Sequence, residues 1–149
     1  MKRAIQTAIV MVLFTGIGAG YYSRLEPTAK AWAAADDLSH ARLFGFGPRG
    51  AAAKISEDET CFFTILDSPK SHLVFRRVYD AGTPAARAYA IIGLRQSIIG
   101  RWDARIDDFR SNGTSIETGS GCVVMQSDPT QILSAGNDEN LKRYLKQRN

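Results

Sequence analysis

The stretch Gly82–Leu94, "GTPAARAYAIIGL", decides the fold of this chain. Thr83 is a typical helix N-cap, and Pro84 suits the first helical position because the backbone N–H that it lacks would have no partner there. Apolar side chains then surround the helix as far as Ser97. This pattern predicts a central, buried helix, so we interpret the stretch as core rather than as a ligand site.

Four small residues follow one another along this helix. Ala86, Ala90, Gly93 and Ser97 stand at positions i, i+4, i+7 and i+11, which places them in one stripe. A glycine inside an isolated helix costs about 1 kcal/mol relative to alanine. Close packing against a neighbouring element is therefore the expected reason for Gly93.

Two further helices are predicted before the central one. Ser56 and Glu59 have the spacing of a capping box, and the helix that they begin has the apolar face Cys61, Phe62, Ile65 and Leu66. Ser68 and Pro69 are expected to start the next helix, with Gly82 as its left-handed cap and with Val74, Phe75, Val78 and Ala81 as its buried face. Together with the segment 83–97 this second helix has the shape of one helical-repeat hairpin.

The chain after the central helix is predicted to change from helix to strand. A helix from Trp102 to Ser111 is expected to point Trp102, Ile106 and Phe109 inward and Asp103, Asp107, Asp108 and Arg110 outward, with Gly113 closing it. Thr114–Thr118 and Cys122–Ser127 predict a short β-hairpin. A short turn or helix at Asp128-Pro129 and a last helix capped by Asn137, with Leu141, Tyr144 and Leu145, complete the chain.

The predicted fold class is mainly α with a short β-hairpin, as a small orthogonal helical bundle of the α+β type. Residues 45–149 are expected to form a single globular domain, and the alanine-rich residues 24–44 a linker or a short helix. A chain of 149 residues with 44% hydrophobic and 23% charged residues can bury a core, which excludes a disordered protein.

Residues 1–23 predict export. Lys2 and Arg3 precede an uncharged, largely apolar run from Ala4 to Ser23, which is typical of a signal peptide. If it is retained, the same run is just long enough to anchor the chain in a membrane. The expected location is periplasmic or extracellular, either soluble after cleavage or tethered to the inner membrane.

The two cysteines, Cys61 and Cys122, fit an oxidising compartment, where an even count commonly indicates a disulfide. Such a bridge would pin the hairpin to the helices. Two buried free thiols are the alternative that the sequence leaves open.

The sequence predicts no catalytic, cofactor or metal site. Gly45–Gly50 matches the dinucleotide pattern G-x-G-x-x-G, but no strand precedes it and Pro48 lacks an amide hydrogen, so a loop is expected. His40 and His72 lack the spacing of a zinc site. A net charge of +4 with scattered basic residues gives no nucleic-acid patch.

One covalent mechanism can be assembled from these residues. Cys61 as nucleophile with His72 as base would make a thiol-dependent hydrolase. Since Cys61 is expected on the apolar face of its helix, burial should raise its pKa and suppress the reactive thiolate.

Four segments together resemble a group of small exported bacterial domains of unassigned activity. They are "FGFG" at residues 44–47, "SEDETCFFTIL" at 56–66, "GTPAARAYAIIGL" at 82–94 and "SGCVV" at 120–124. The resemblance implies export and this order of elements, and it brings no function with it.

The predicted function is that of an exported binding module in the cell envelope, similar in role to an immunity or inhibitor protein. Its partner is expected to be another envelope or secreted protein, with membrane contact through residues 1–23 if they are retained. A membrane-tethered structural subunit is the alternative, and the sequence does not predict the oligomeric state.

Overall fold

The computed structural model describes residues 26–134 together with Leu141 and Lys146. The predicted export segment 1–23 lies outside the described residues, and so does most of the predicted last helix. Leu141 is helical and only 2% exposed, so this part of the chain reaches the core.

The protein is mainly helical with one two-stranded antiparallel hairpin, which confirms the predicted fold class. Along the described residues the elements are α1 Ala29–Leu38, α2 Glu57–Leu66, α3 Ser71–Ala81, α4 Pro84–Gln96, a 3₁₀ turn Gly100–Trp102, α5 Ala104–Asn112, β1 Ile116–Ser120, β2 Val123–Ser127 and α6 Pro129–Ile132.

The helix α4 is the centre of the molecule, as its sequence predicts. Thr83 caps it by accepting a hydrogen bond from the backbone N–H of Ala86 at 3.2 Å, and Pro84 occupies its first turn. Most of its residues are buried on all sides: Ala85, Ala86, Ala88, Tyr89, Ala90, Ile91, Ile92, Gly93 and Leu94. A helix that is apolar all round gains stability only when other elements cover it, and α3, α5 and β1 do so here.

An aromatic ring on α3 leaves no room for a side chain at Gly93. A Cβ at this position would lie 2.4 Å from two ring carbons of Phe75. Ala86 and Ala90, in the same stripe, are fully buried, whereas Ser97 ends the helix as its C-cap. The close approach at Gly93 is thus made by the Phe75 ring.

The alanine-rich segment before residue 45 contains the helix α1, which belongs to the core. Thr28 caps this helix, and Ala31, Ala34, Ala35 and Leu38 are buried, with α2 as the main neighbour. The packed body therefore begins before residue 45, since the alanines present one close-packed face to α2.

Both predicted ends of helix α3 differ from the structure. Helix α3 begins at Ser71 rather than at Ser68, because Lys70 adopts a left-handed conformation with φ of 48°. The hydroxyl of Ser68 instead accepts the N–H of Thr28 at 3.0 Å, which links α1 to the α2–α3 turn. Gly82 is extended, with φ of −89°, and is not a left-handed cap.

The start of α5 also differs from the prediction. Asp103 is its N-cap and is buried, whereas an exposed position was expected. Trp102 precedes the helix and is 86% exposed, so the predicted inward position of this tryptophan is wrong. Ile106 and Phe109 are buried and Gly113 follows the helix, both as predicted.

The hairpin is attached to the body through β1. Ile116 pairs with Ser127 and Ser120 with Val123, while the other edge of β1 pairs with Phe44 through hydrogen bonds of 2.9 and 2.8 Å. The described residues thus place the loop 44–49 on one side of β1 and β2 on the other.

The predicted disulfide is not formed. Both cysteines are free: Cys61 is half-buried on α2, and Cys122 is exposed in the turn between β1 and β2. The hairpin is held instead by backbone pairing with Phe44 and by a bridge between Arg49 and Gly121. Backbone pairing to the loop therefore replaces the expected covalent bond.

Candidate functional site

Three large apolar side chains are exposed together in the connection between α4 and α5. Ile98 is 80% exposed, Ile99 62% and Trp102 86%. A single exposed apolar residue is ordinary, but three within five positions form a patch of the kind that marks interaction sites. We call these three residues the apolar turn.

The backbone of the apolar turn is held by a short chain of hydrogen bonds. The N–H of Gly100 donates to the hydroxyl of Ser97 at 2.6 Å, and the N–H of Asp103 donates to the carbonyl of Gly100 at 2.9 Å. A Cβ at Gly100 would lie 2.4 Å from that hydroxyl. The glycine lets the chain turn tightly, so the apolar side chains are presented by a fixed backbone.

An ionic network centred on the buried side chain of Asp103 follows the apolar turn directly in the chain. The Asp103 side chain, 3% exposed, accepts from Arg76 Nε on α3 at 2.5 Å and from Arg105 Nη1 at 3.3 Å. It also accepts the N–H of Arg105 at 3.1 Å as the cap of α5. Arg105 in turn makes a two-pronged contact with Asp80 at 2.8 and 2.7 Å.

These contacts set the protonation state of Asp103. Burial by itself would raise the pKa of this carboxyl, but the N–H of Arg105 and the guanidinium groups of Arg76 and Arg105 outweigh it and lower the pKa. Asp103 is therefore a firmly ionised anchor that ties the exposed turn to α3.

The charge beside the apolar turn is positive. Between Leu94 and Trp102 the sequence carries Arg95 and Arg101 and no acidic residue. Arg101 is exposed, while Arg95 donates to the carbonyl of Leu133 at 3.0 Å. Tryptophan and arginine are the residues most enriched at the energetic centres of protein interfaces.

A second exposed apolar surface lies on β2. Val123, Val124 and Met125 are 57%, 59% and 54% exposed, although neighbouring residues of a strand point to opposite faces. Both faces of this strand are therefore open to solvent.

The described residues also line a cleft of about 270 Å³ between α3, α4 and α5. In it Tyr79 donates to Asp108 at 2.6 Å, Asn112 donates to the same carboxylate at 2.9 Å, and Arg87 lies over the Tyr79 ring. Burial and the Asp108 contact raise the pKa of Tyr79. Because these polar groups already satisfy one another, the cleft is a weaker candidate than the apolar turn.

The glycine-rich loop 45–50 is occupied by internal contacts. The N–H of Gly47 donates to Glu59 Oε2 at 2.8 Å, and Tyr89 donates to the carbonyl of Gly45 at 2.6 Å. Glu59 is fully buried, and its carboxylate takes the amide that a phosphate would need. Ser56 caps the helix as predicted, but the Glu59 side chain binds Gly47 and does not complete the predicted capping box. This loop is therefore a structural element.

The arrangement around Cys61 does not favour a thiol mechanism. Burial, followed by the nearby Asp37, Asp58 and Glu57, raises the pKa of its thiol, as the sequence predicts. Burial and Arg76 lower the pKa of His72. Among the hydrogen bonds of the described residues, none joins Cys61 to His72.

The described part of the chain contains no group of three or more acidic, histidine or cysteine side chains placed to hold a metal ion. None of its helices combines the length and the apolar character needed to cross a bilayer.

Comparison of the chain with protein-family models, with curated proteins and with solved structures finds no match. The resemblance to small exported bacterial domains therefore stays a prediction.

Sequence reasoning missed the apolar turn because the helix predicted from Trp102 starts two residues later in the structure, at Ala104. Asp103 followed by "ARID" carries the N-cap signal, and that signal places Trp102 before the helix rather than in its apolar face. The preference of aspartate for the N-cap position could therefore have located the start of this helix.

Proposed function

We propose that this protein is an exported binding module of the bacterial envelope that docks on another envelope or secreted protein through the apolar turn. The observation that carries this proposal is the exposure of Trp102 beside Ile98 and Ile99 on a backbone fixed by hydrogen bonds. A tryptophan side chain has few rotatable bonds, and on a fixed backbone it loses little conformational entropy when it enters a partner's pocket.

The charge of the turn narrows the class of partner. Arg101 stands next to Trp102 in an exposed position, so a pocket with an apolar floor and an acidic rim complements this surface. A role similar to that of an immunity or inhibitor protein, which covers a site on its partner, fits a small module that offers one rigid docking element. The proposal of export is supported by the two basic residues and the uncharged, largely apolar run within residues 1–23.

Site-specific photocrosslinking in the native host tests this function. A photoreactive amino acid at Ile99 of the full chain should give one defined protein adduct, and Ile98→Asp in the same chain should remove it. The same amino acid at Asp107, whose side chain is 78% exposed, is the matched control and should give none. Adducts with lipid alone, or no adduct at Ile99, would overturn the proposal.

A further inference from the structure

The outer edge of β2 has no partner in the described part of the chain. One edge of β2 pairs with β1 from Val123 to Ser127. The remaining isolated bridges of the described residues join Phe44, Arg49, Lys54, Thr118 and Gly121, and none of them involves β2. The backbone N–H and C=O groups along the free edge are therefore available for pairing.

The sequence of β2 lacks the features that usually block such an edge. Its five residues, "VVMQS", contain no charge and no proline, and each pairs in sequence with β1 without a bulge. Natural edge strands are commonly protected by lysine, proline or a bulge, because an unprotected edge invites another strand. Pairing would also remove apolar surface of three exposed side chains from water, namely Val123, Val124 and Met125.

The strand is also held in a conformation ready for pairing. Its partner β1 is anchored by the buried Ile116 and by the pairing of Phe44 on the opposite edge. The hydroxyl of Thr118 donates to the carbonyl of Met125 at 3.2 Å across the hairpin. A strand that is already extended loses little further entropy when it adds a neighbour.

We infer that β2 pairs antiparallel with β2 of a second copy of this chain and forms a four-stranded sheet across a two-fold axis. An antiparallel strand edge is self-complementary, since each donor on one copy meets an acceptor on the other. The absence of charge in β2 means that two identical strands meet without repulsion between like charges. Two-fold dimers are the commonest assemblies of soluble proteins.

This surface is different from the apolar turn, so the inference is independent of the proposed function. The dimer carries two copies of the apolar turn. A partner that presents two copies of its docking site can then be bound at two points.

A single-cysteine scan of the full chain in intact cells tests the dimer. Cys61 and Cys122 are replaced by serine, and one cysteine is then placed in turn at each of positions 122 to 127 before mild oxidation. In an antiparallel self-pair, each residue away from the axis separates the two equivalent Cα atoms by about 7 Å more along the strand. A disulfide needs Cα atoms within about 7 Å of each other.

The expected result is a disulfide-linked homodimer at one position or at two adjacent positions only. Val124→Lys in the best-crosslinking chain, or Val123→Lys where position 124 crosslinks best, should reduce the dimer at least tenfold, because it brings a charge to the paired edge. The matched control Ile98→Lys places the same charge on the apolar turn and should leave the dimer unchanged. At a protein concentration low enough for both variants to be monomeric, their thermal unfolding should be similar, since both positions are exposed.

Three results would overturn the inference. Equal crosslinking at all six positions indicates random collision or parallel stacking, and no crosslinking indicates that the edge does not meet its own copy. A disulfide to a different protein at these positions assigns the edge to a foreign strand. Persistence of the dimer in the Val124→Lys or Val123→Lys chain excludes β2 as the contact.

Discussion

Asp103 and Arg76 join α5 to α3 through a contact of 2.5 Å, one residue after the most exposed tryptophan of the described chain. The buried carboxylate and the exposed indole are neighbours in sequence with opposite roles. The carboxylate of Asp103 fixes the backbone to α3, and the indole of Trp102 presents an apolar surface beside it.

We expect Asp103→Ala to destabilise the protein by about 2 kcal/mol, because it removes a helix cap and leaves Arg76 and Arg105 without their shared partner. Urea unfolding measures the change. The control Asp107→Ala removes an exposed carboxylate of the same helix and should change the stability by less than about 0.5 kcal/mol. Equal effects of the two substitutions would show that the network contributes nothing.

The contribution of Asp103 should depend on pH in a defined direction. Its native pKa is lowered, so the folded state binds fewer protons than the unfolded state, in which the pKa is about 3.9. The stabilisation is complete above the unfolded pKa and is lost as the pH falls through the native value. The difference in unfolding free energy between the wild type and Asp103→Asn should stay constant from pH 7 to about 5 and shrink below about 4. A difference that grows on acidification would contradict this assignment.

Gly93→Ala should destabilise the protein, although alanine is the better helix former. The gain in helix propensity is about 1 kcal/mol, whereas overpacking against the Phe75 ring costs about 1–3 kcal/mol. The double variant Gly93→Ala with Phe75→Leu should lose less stability than the sum of the two single variants. Simple additivity in this double-mutant cycle would show that the ring does not set the requirement.

Substitutions at Glu59 should show how much its hydrogen bond to Gly47 contributes to stability. The carboxylate is fully buried, Oε2 accepts from Gly47, and Oε1 has no partner among the described groups. Glu59→Gln keeps the size of the side chain and an acceptor for Gly47, so it should lose less stability than Glu59→Ala. Glu59→Ala should lose about 2 kcal/mol. A strongly destabilised Glu59→Gln would reveal a further contact that requires the carboxylate.

Thiol titration without reductant should find two reactive sulfurs in each chain. Cys122 is exposed and should react quickly, and Cys61 should react slowly because it is half-buried and its pKa is raised. The variant Cys122→Ser should therefore retain only the slow phase. If the wild type shows no free thiol, the two sulfurs are oxidised and the free cysteines of the structure are contradicted.

Local sequence signals were sufficient for most of the helices. The Thr83-Pro84 pair and the apolar run behind it determine the start and the burial of α4, because capping and helical periodicity depend on residues within a few positions. The hairpin was likewise predictable from the change of period after Gly113, and the structure places its strands at Ile116–Ser120 and Val123–Ser127.

The sequence by itself thus determined the helical class, the central helix and the order of elements, since these follow from short-range patterns. Tertiary structure alone decided that Cys61 and Cys122 stay apart, that Glu59 binds the loop at Gly47, and that no second described strand pairs with β2. Each of these depends on how segments distant in sequence meet. The exposure of Trp102 depended on both, because the cap at Asp103 sets the helix boundary and the contact with Arg76 fixes the direction of the turn.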